Sequence, residues 1–192
     1  MRRDTDLGAT LLSLARGAIG AELGMVVRNT PTHAALAAPG ASFVTLRQRG
    51  DLRGCIGSVR AWRPLAEDLR ANALAAAFRD PRFPPLALRE YAITAIEVSL
   101  LGPSTPLHAV DEDDALAQLR PYVDGVILER GRQRATFLPQ VWEQLPEPRA
   151  FLAELKRKAG LPADHWCGEL RLARYAVAKY AEDAASLAGA MS

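Results

Sequence analysis

Ser42-Phe43-Val44-Thr45-Leu46-Arg47-Gln48, Gly50-Asp51 and Leu52-Arg53-Gly54-Cys55-Ile56-Gly57 follow one another almost without interruption. The first run is rich in β-branched and aromatic residues and reads as a strand. Gly50-Asp51 fits a two-residue type II′ turn, which wants glycine in its first central place, and the chain returns as a second strand. In that register Leu46 lies opposite Cys55, Gln48 opposite Arg53 and Val44 opposite Gly57. Side chains alternate along a strand, so Arg53, Cys55 and Gly57 share a face with Val44, Leu46 and Gln48. A change of one residue in the turn would alter every pairing.

Gly54 and Gly57 remove side chains on either side of the thiol. Such glycines in a strand mark a bulge or a close approach by another backbone or a ligand. Two readings of Cys55 stand side by side. In one it is a small buried hydrophobe whose neighbours let another element pack tightly. In the other it is a catalytic thiolate in a cleft, stabilised by Arg53 or another arginine. A nucleophile also wants a base, and His33, His108 and His165 all stand far from it in sequence.

Upstream, Asp6 to Leu23 reads as an amphipathic helix with Leu7, Leu11, Leu14 and Ala18 on one face and Asp6 as N-cap. Residues 29–41 read as a loop. Downstream, Pro64 opens a helix to about Phe78, with Glu67 and Asp68 at its positive end. Asp80-Pro81 ends that helix, and residues 79–86 form a rigid connection whose three prolines admit a cis bond. Tyr91–Leu101 reads as a strand and Glu112–Leu119 as a short helix. Val126–Glu129 and Arg134–Leu138 form a second hairpin around Gly131. Pro139 and Pro148 each start a helix, the second stopping at Gly160 with Lys156, Arg157 and Lys158 in its last turn, where cations complement the helix dipole. Glu169–Tyr180 reads as one long strand. Trp62, Trp142 and Trp166 are assigned to packing. Strands and helices do not alternate regularly, which favours α+β over a doubly wound parallel sheet.

The chain has 192 residues and a formal charge of +2, too small to point to nucleic acid, and its arginines are scattered. No window approaches the roughly 18 apolar residues that span a bilayer, and Met1-Arg2-Arg3 is followed at once by Asp4, unlike a secretory signal. A cytoplasmic protein is expected. Cys55 and Cys167 have neither the spacing of a redox pair nor the company of a zinc site, so no metal site is expected and the cofactor is unknown.

The hexapeptide Leu52–Gly57 matches the hallmark of the AMMECR-type domain family. The resemblance continues through Ala77–Leu86, Ile96–Ser99, Asp124–Val126, Phe137–Trp142, Lys158–Pro162 and Trp166. It implies one domain over residues 1–192. Its fold would be α+β in two unequal lobes, a mostly antiparallel sheet flanked by helices, with the hexapeptide near a groove between the lobes. It also implies a component of an AmmeMemoRadiSam system, whose partners would be a Memo-type protein and a radical-SAM protein. The family brings no settled activity with it.

Within the matching blocks, Arg79 and Asp80 would pair to lock the proline turn, or Arg79 or Arg82 would clamp a carboxylate or phosphate. Glu97, in an apolar strand, would need a cation such as Arg53 or Arg79. The candidate site is therefore Cys55 for chemistry and Arg53, Gly54, Gly57, Arg79, Asp80, Arg82 and Glu97 for binding. Binding of a small molecule or partner ranks first, an enzyme using Cys55 second, and RNA binding last. His165 and Cys167, in Asp164-His165-Trp166-Cys167, carry no assignment.

Overall fold

A computed structural model describes residues 2–27 and 32–182, with side chains of the first helix from residue 7 onward. The protein is α+β, with two four-stranded sheets and five α-helices among the described residues. The chain divides into two compact units, one running up to Leu100 and resuming at Ala178, the other Leu101–Val177.

In the first unit, helix α1 (Arg2–Glu22) precedes the hairpin of β1 (Ala41–Gln48) and β2 (Asp51–Gly57). Then come α2 (Leu65–Phe78), a single turn α3 (Leu88–Tyr91) and β3 (Ala95–Leu101). Asp6 lies inside α1 rather than at its cap, because the helix starts at Arg2. Leu11, Leu14 and Ile19 of α1 join Val44, Leu46, Leu69, Ala73, Ile96 and Val98 in one core. The segment read as a strand from Tyr91 begins as α3, where Glu90 accepts the Ala87 amide at 2.8 Å and closes a capping turn. The peptide bonds of the proline-rich connection are all trans.

The second unit contains β4 (Thr105–Leu107), α4 (Glu112–Gln118), the hairpin β5 (Gly125–Arg130) and β6 (Gln133–Phe137), α5 (Pro148–Lys158) and β7 (Arg171–Tyr175). Its sheet order is β4-β7-β5-β6, antiparallel throughout. Trp142 stacks on Phe151 with centroids 3.7 Å apart, and Phe137 meets Phe151 edge-on at 5.2 Å. Lys156 is not a solvated dipole partner. It is fully buried, 2.9 Å from Glu112, and donates to the Ala163 carbonyl at 3.1 Å.

The long strand expected over 169–180 is two strands in two sheets. β7 belongs to the second sheet, whereas β8 (Val177–Ala181) joins the first, whose order is β2-β1-β3-β8. Ala176 between them accepts the Gly102 amide at 2.9 Å, where the chain changes sheets. Of the tryptophans, Trp142 is core, Trp166 is half-buried and Trp62 is 70% exposed with the Arg63 guanidinium over its ring. Trp62 therefore is no core residue; it stands on the connection between β2 and α2. No helix among the described residues is long and apolar enough to cross a membrane.

Candidate functional site

The hairpin forms where the sequence places it, with its faces the other way round. The turn residues are Arg49 and Gly50, both at positive φ (52° and 91°), a type I′ geometry in which Gln48 pairs with Asp51. A bulge follows, because Arg47 pairs with Leu52 but Leu46 with Gly54, leaving Arg53 as the extra residue. Turn and bulge together slip the expected register by one. Cys55 therefore pairs with Thr45 and Gly57 with Phe43, while Val44 and Leu46 sit on the opposite, core-facing side. A slip of one residue exchanges the faces of a strand.

The two glycines serve different neighbours. A Cβ on Gly54 would stand 2.2 Å from the Ala76 carbonyl oxygen, so β2 passes α2 at backbone contact only because that side chain is missing. A Cβ on Gly57 would stand 2.2 Å from the Phe43 ring, which covers its cross-strand glycine. The close approach anticipated from the sequence is thus real and is made by protein.

β2 is an edge strand, and at Cys55 its outward backbone groups are occupied by side chains. The Cys55 amide donates to Asp80 Oδ2 at 2.9 Å, and Arg82 Nη2 donates to the Cys55 carbonyl at 3.2 Å. Asp80 and Arg82 join each other through Arg82 Nε to Oδ1 at 2.9 Å and Nη2 to Oδ2 at 2.6 Å. Carboxylate and guanidinium together do what a neighbouring strand would do, one accepting and one donating. Asp80 reaches this place through a turn in which its Oδ1 accepts the Arg82 amide at 3.1 Å and its carbonyl accepts the Phe83 amide at 3.1 Å. The pair that locks the proline turn is therefore Asp80 with Arg82, not Arg79 with Asp80. Arg79 is an exposed C-cap of α2. Arg82, bonded to both oxygens, holds the Asp80 carboxyl well below the usual carboxylate range despite its burial, and the Cys55 amide adds to the effect.

The Cys55 side chain, half-buried, receives the Thr45 hydroxyl at 3.3 Å. Because the outward groups of Cys55 go to Asp80 and Arg82, Thr45 and Cys55 form a non-hydrogen-bonded pair, the closer of the two antiparallel arrangements. Arg53 is buried beside them. Its Nε and Nη2 bond Glu90 at 2.9 and 3.2 Å, and Gln48 also donates to Glu90 at 3.2 Å. The Arg53 guanidinium, with help from the Ala87 amide, pulls the Glu90 carboxyl down to about 2. The Phe83 ring neighbours both arginines, its centroid 5.9 Å from the Arg53 guanidinium carbon and 5.6 Å from that of Arg82. Arg53 Nη1 is buried and has no hydrogen-bond partner among the described residues.

Glu97 pairs with Lys179 of β8 at 3.0 Å rather than with Arg53 or Arg79. The structure thus brings Cys55, Asp80 and Arg82 into direct contact, links Arg53 to them through Phe83, and gives Glu97 a partner of its own. Sequence reasoning missed Thr45, Gln48, Phe83 and Glu90. It also missed a second carboxylate that fixes the hairpin. Buried Asp68 accepts from the Ser42 amide and hydroxyl at 2.9 and 2.8 Å, from Asn72 at 2.9 Å, from Arg63 at 3.0 Å and from Ser58. The signal for Asp68 was available, since Asp68 and Asn72 are four residues apart on the helix face that meets the strands. Among the described residues no group of three or more His, Cys, Asp or Glu is placed to hold a metal ion.

This geometry sits in a chain with recognisable relatives. A protein of Methanothermobacter thermautotrophicus is 41% identical over 143 residues, covering 73% of this chain and 74% of that one. One of Thermofilum pendens is 35% identical over 191 residues, covering 91% and 89%. Among solved structures, an uncharacterized protein from Pyrococcus horikoshii superposes with a TM-score of 0.78 at 32% identity over 90% of each chain. The AMMECR1 family profile matches residues 12–180, a span that takes in the Cys55 hairpin, the Asp80–Arg82 clamp and the whole second unit, and the chain belongs to that family.

Proposed function

We propose that this AMMECR1-family protein is a binding component, receiving a small ligand or a partner protein at the surface around Cys55, and that it works with Memo-type and radical-SAM proteins. The observation that carries this reading is what surrounds the thiol. Its sulfur is met by the Thr45 hydroxyl, while the His33 ring accepts the Ala35 amide and the His165 ring is engaged by Cys167. A nucleophilic cysteine needs a base at hydrogen-bond distance; a binding surface needs only fixed geometry. Fixed geometry is what Asp80 and Arg82 give the Cys55 backbone. Arg82 is also half exposed, so its guanidinium, fixed by Asp80, can be reached by an incoming carboxylate or carbonyl.

The test is co-purification with a Memo-type and a radical-SAM protein, followed by titration of the variants. Cys55→Ala should bind within about twofold of wild type. Arg79→Glu, a charge reversal on the exposed flank of the clamp, should weaken binding about tenfold, a change of about 1.4 kcal/mol. No complex at micromolar concentration would sink the partner reading. Loss of a measurable activity in Cys55→Ala with folding intact would move the protein to the enzyme reading.

A further inference from the structure

The second free cysteine is held quite differently from the first. Cys167 Sγ lies 3.3 Å from His165 Nε2, and both residues are partly exposed. Between them Trp166 packs against the core of the second unit. The loop that carries them is fastened on both sides of the pair. The His165 amide donates to the Pro162 carbonyl at 3.1 Å, and the Leu170 amide to the Cys167 carbonyl at 3.0 Å. From below, buried Lys156 donates to Ala163 and lies 5.7 Å from the Trp166 ring centroid. Two side chains one residue apart in a loose loop would meet only briefly. Here the backbone has little freedom left, so the imidazole stays within reach of the thiol. The chain next to Cys167 is open, since a Cβ placed on Gly168 would have no atom within 4 Å beyond its chain neighbours.

We propose that Cys167 and His165 form a nucleophilic pair and that Cys167 is a site of covalent modification by small electrophiles, of which hydrogen peroxide is the simplest. With its proton on Nδ1, His165 accepts the thiol proton at Nε2. The sulfur attacks the nearer peroxide oxygen, the O–O bond breaks, and the departing hydroxide takes the proton back from His165 to leave as water. Cys167 is oxidised from thiol to sulfenic acid and the peroxide is reduced to water. The charged groups around the loop have their own partners or face water. Lys156 pairs with Glu112, Arg130 with Glu169 at 3.6 Å, and Asp164 is exposed. The imidazole is therefore the group in position to move the thiol proton.

The two cysteines give an internal comparison. Wild type, His165→Gln and His165→Asn are exposed to iodoacetamide at pH 7, and each cysteine's alkylation rate is read by peptide mass spectrometry. Cys167 should react about tenfold faster than Cys55 in wild type. Both histidine variants should slow Cys167 about tenfold while leaving Cys55 unchanged. Near pH 9.5, where an ordinary thiol of pKa about 8.5 ionises unaided, the gap between wild type and variants should close. Hydrogen peroxide followed by dimedone should label Cys167 first. Equal rates at the two cysteines, or a Cys167 rate indifferent to both histidine substitutions, would overturn the proposal. Wild type alone decides the first point, so a variant that folds poorly does not shelter it.

Discussion

Around the β1–β2 hairpin Ser42, Thr45, Arg53, Asp68, Asn72 and Asp80 are all buried, whereas the second unit buries Asp124 and Lys156 against a much more apolar interior. Its centre is the Trp142–Phe151 stack with Phe137 at its edge. A buried polar group costs about 1–3 kcal/mol when unsatisfied and little when bonded. The first unit therefore spends polarity on direction: Asp80 and Asp68 fix where the hairpin sits to within a hydrogen-bond length. The second unit gains stability from area, which is non-directional. The hairpin that carries Cys55 lies in the unit held by directed bonds.

The largest expected effect tests the apolar half. Phe151→Ala removes a fully buried ring from the stack and should cost about 4 kcal/mol in urea unfolding. A loss under about 1 kcal/mol would show that area is not what holds that unit. Next is Gly54→Ala, which puts a methyl against the Ala76 carbonyl, a backbone group that cannot turn aside. It should cost about 3 kcal/mol, and Gly57→Ala about 2, because the half-buried Phe43 side chain can yield only by turning about its Cα–Cβ bond, whereas the Ala76 backbone cannot yield. Equal costs would mean that the approach of α2 is softer than its geometry.

Asp80→Asn and Glu90→Gln address the directed bonds themselves, and each should cost about 2 kcal/mol at pH 7. Both carboxyls are depressed in the folded state, Glu90 from 4.5 to about 2 and Asp80 below the usual range. The unfolded chain thus takes up protons first as pH falls. The stability these groups contribute is complete above about pH 5 and fades as pH drops toward 2. Wild type should lose stability through that window, and Glu90→Gln should lose less. Parallel pH profiles would remove the clamp from the account. The smallest effect is a gain. Arg49 holds a positive φ of 52° that asparagine tolerates better, so Arg49→Asn should add about 0.5 kcal/mol to thermal stability.

Elements defined by local pattern were legible in the sequence: both hairpins, α2, and α5 with its Gly160 stop. What failed did so through single residues. The bulge at Arg53 has no composition signal, and it turned Cys55 from the face of Leu46 to the face of Thr45. Ala176, where β7 gives way to β8, is neither glycine nor proline, so nothing announces the change of sheet. In the site, Asp80, Arg82 and Cys55 were named, but their mutual contact spans 25 residues and depends on β2 being an edge. Glu97 was given the wrong cation because Lys179 joins the sheet from the far end of the described chain.

The change of sheet at Ala176 also bears on the order in which the molecule is finished. β3 and β8 are neighbours, yet the whole second unit is synthesised between them. A ribosome adding roughly 5–20 residues per second completes the second unit several seconds after β3 has emerged. During that interval β3 offers an unpaired edge, the kind of surface that recruits foreign strands. The hairpin bearing Cys55 must wait in an unfinished sheet until β8 arrives. Nascent chains stalled between Leu101 and Val177 should then be the ones that chaperones hold longest.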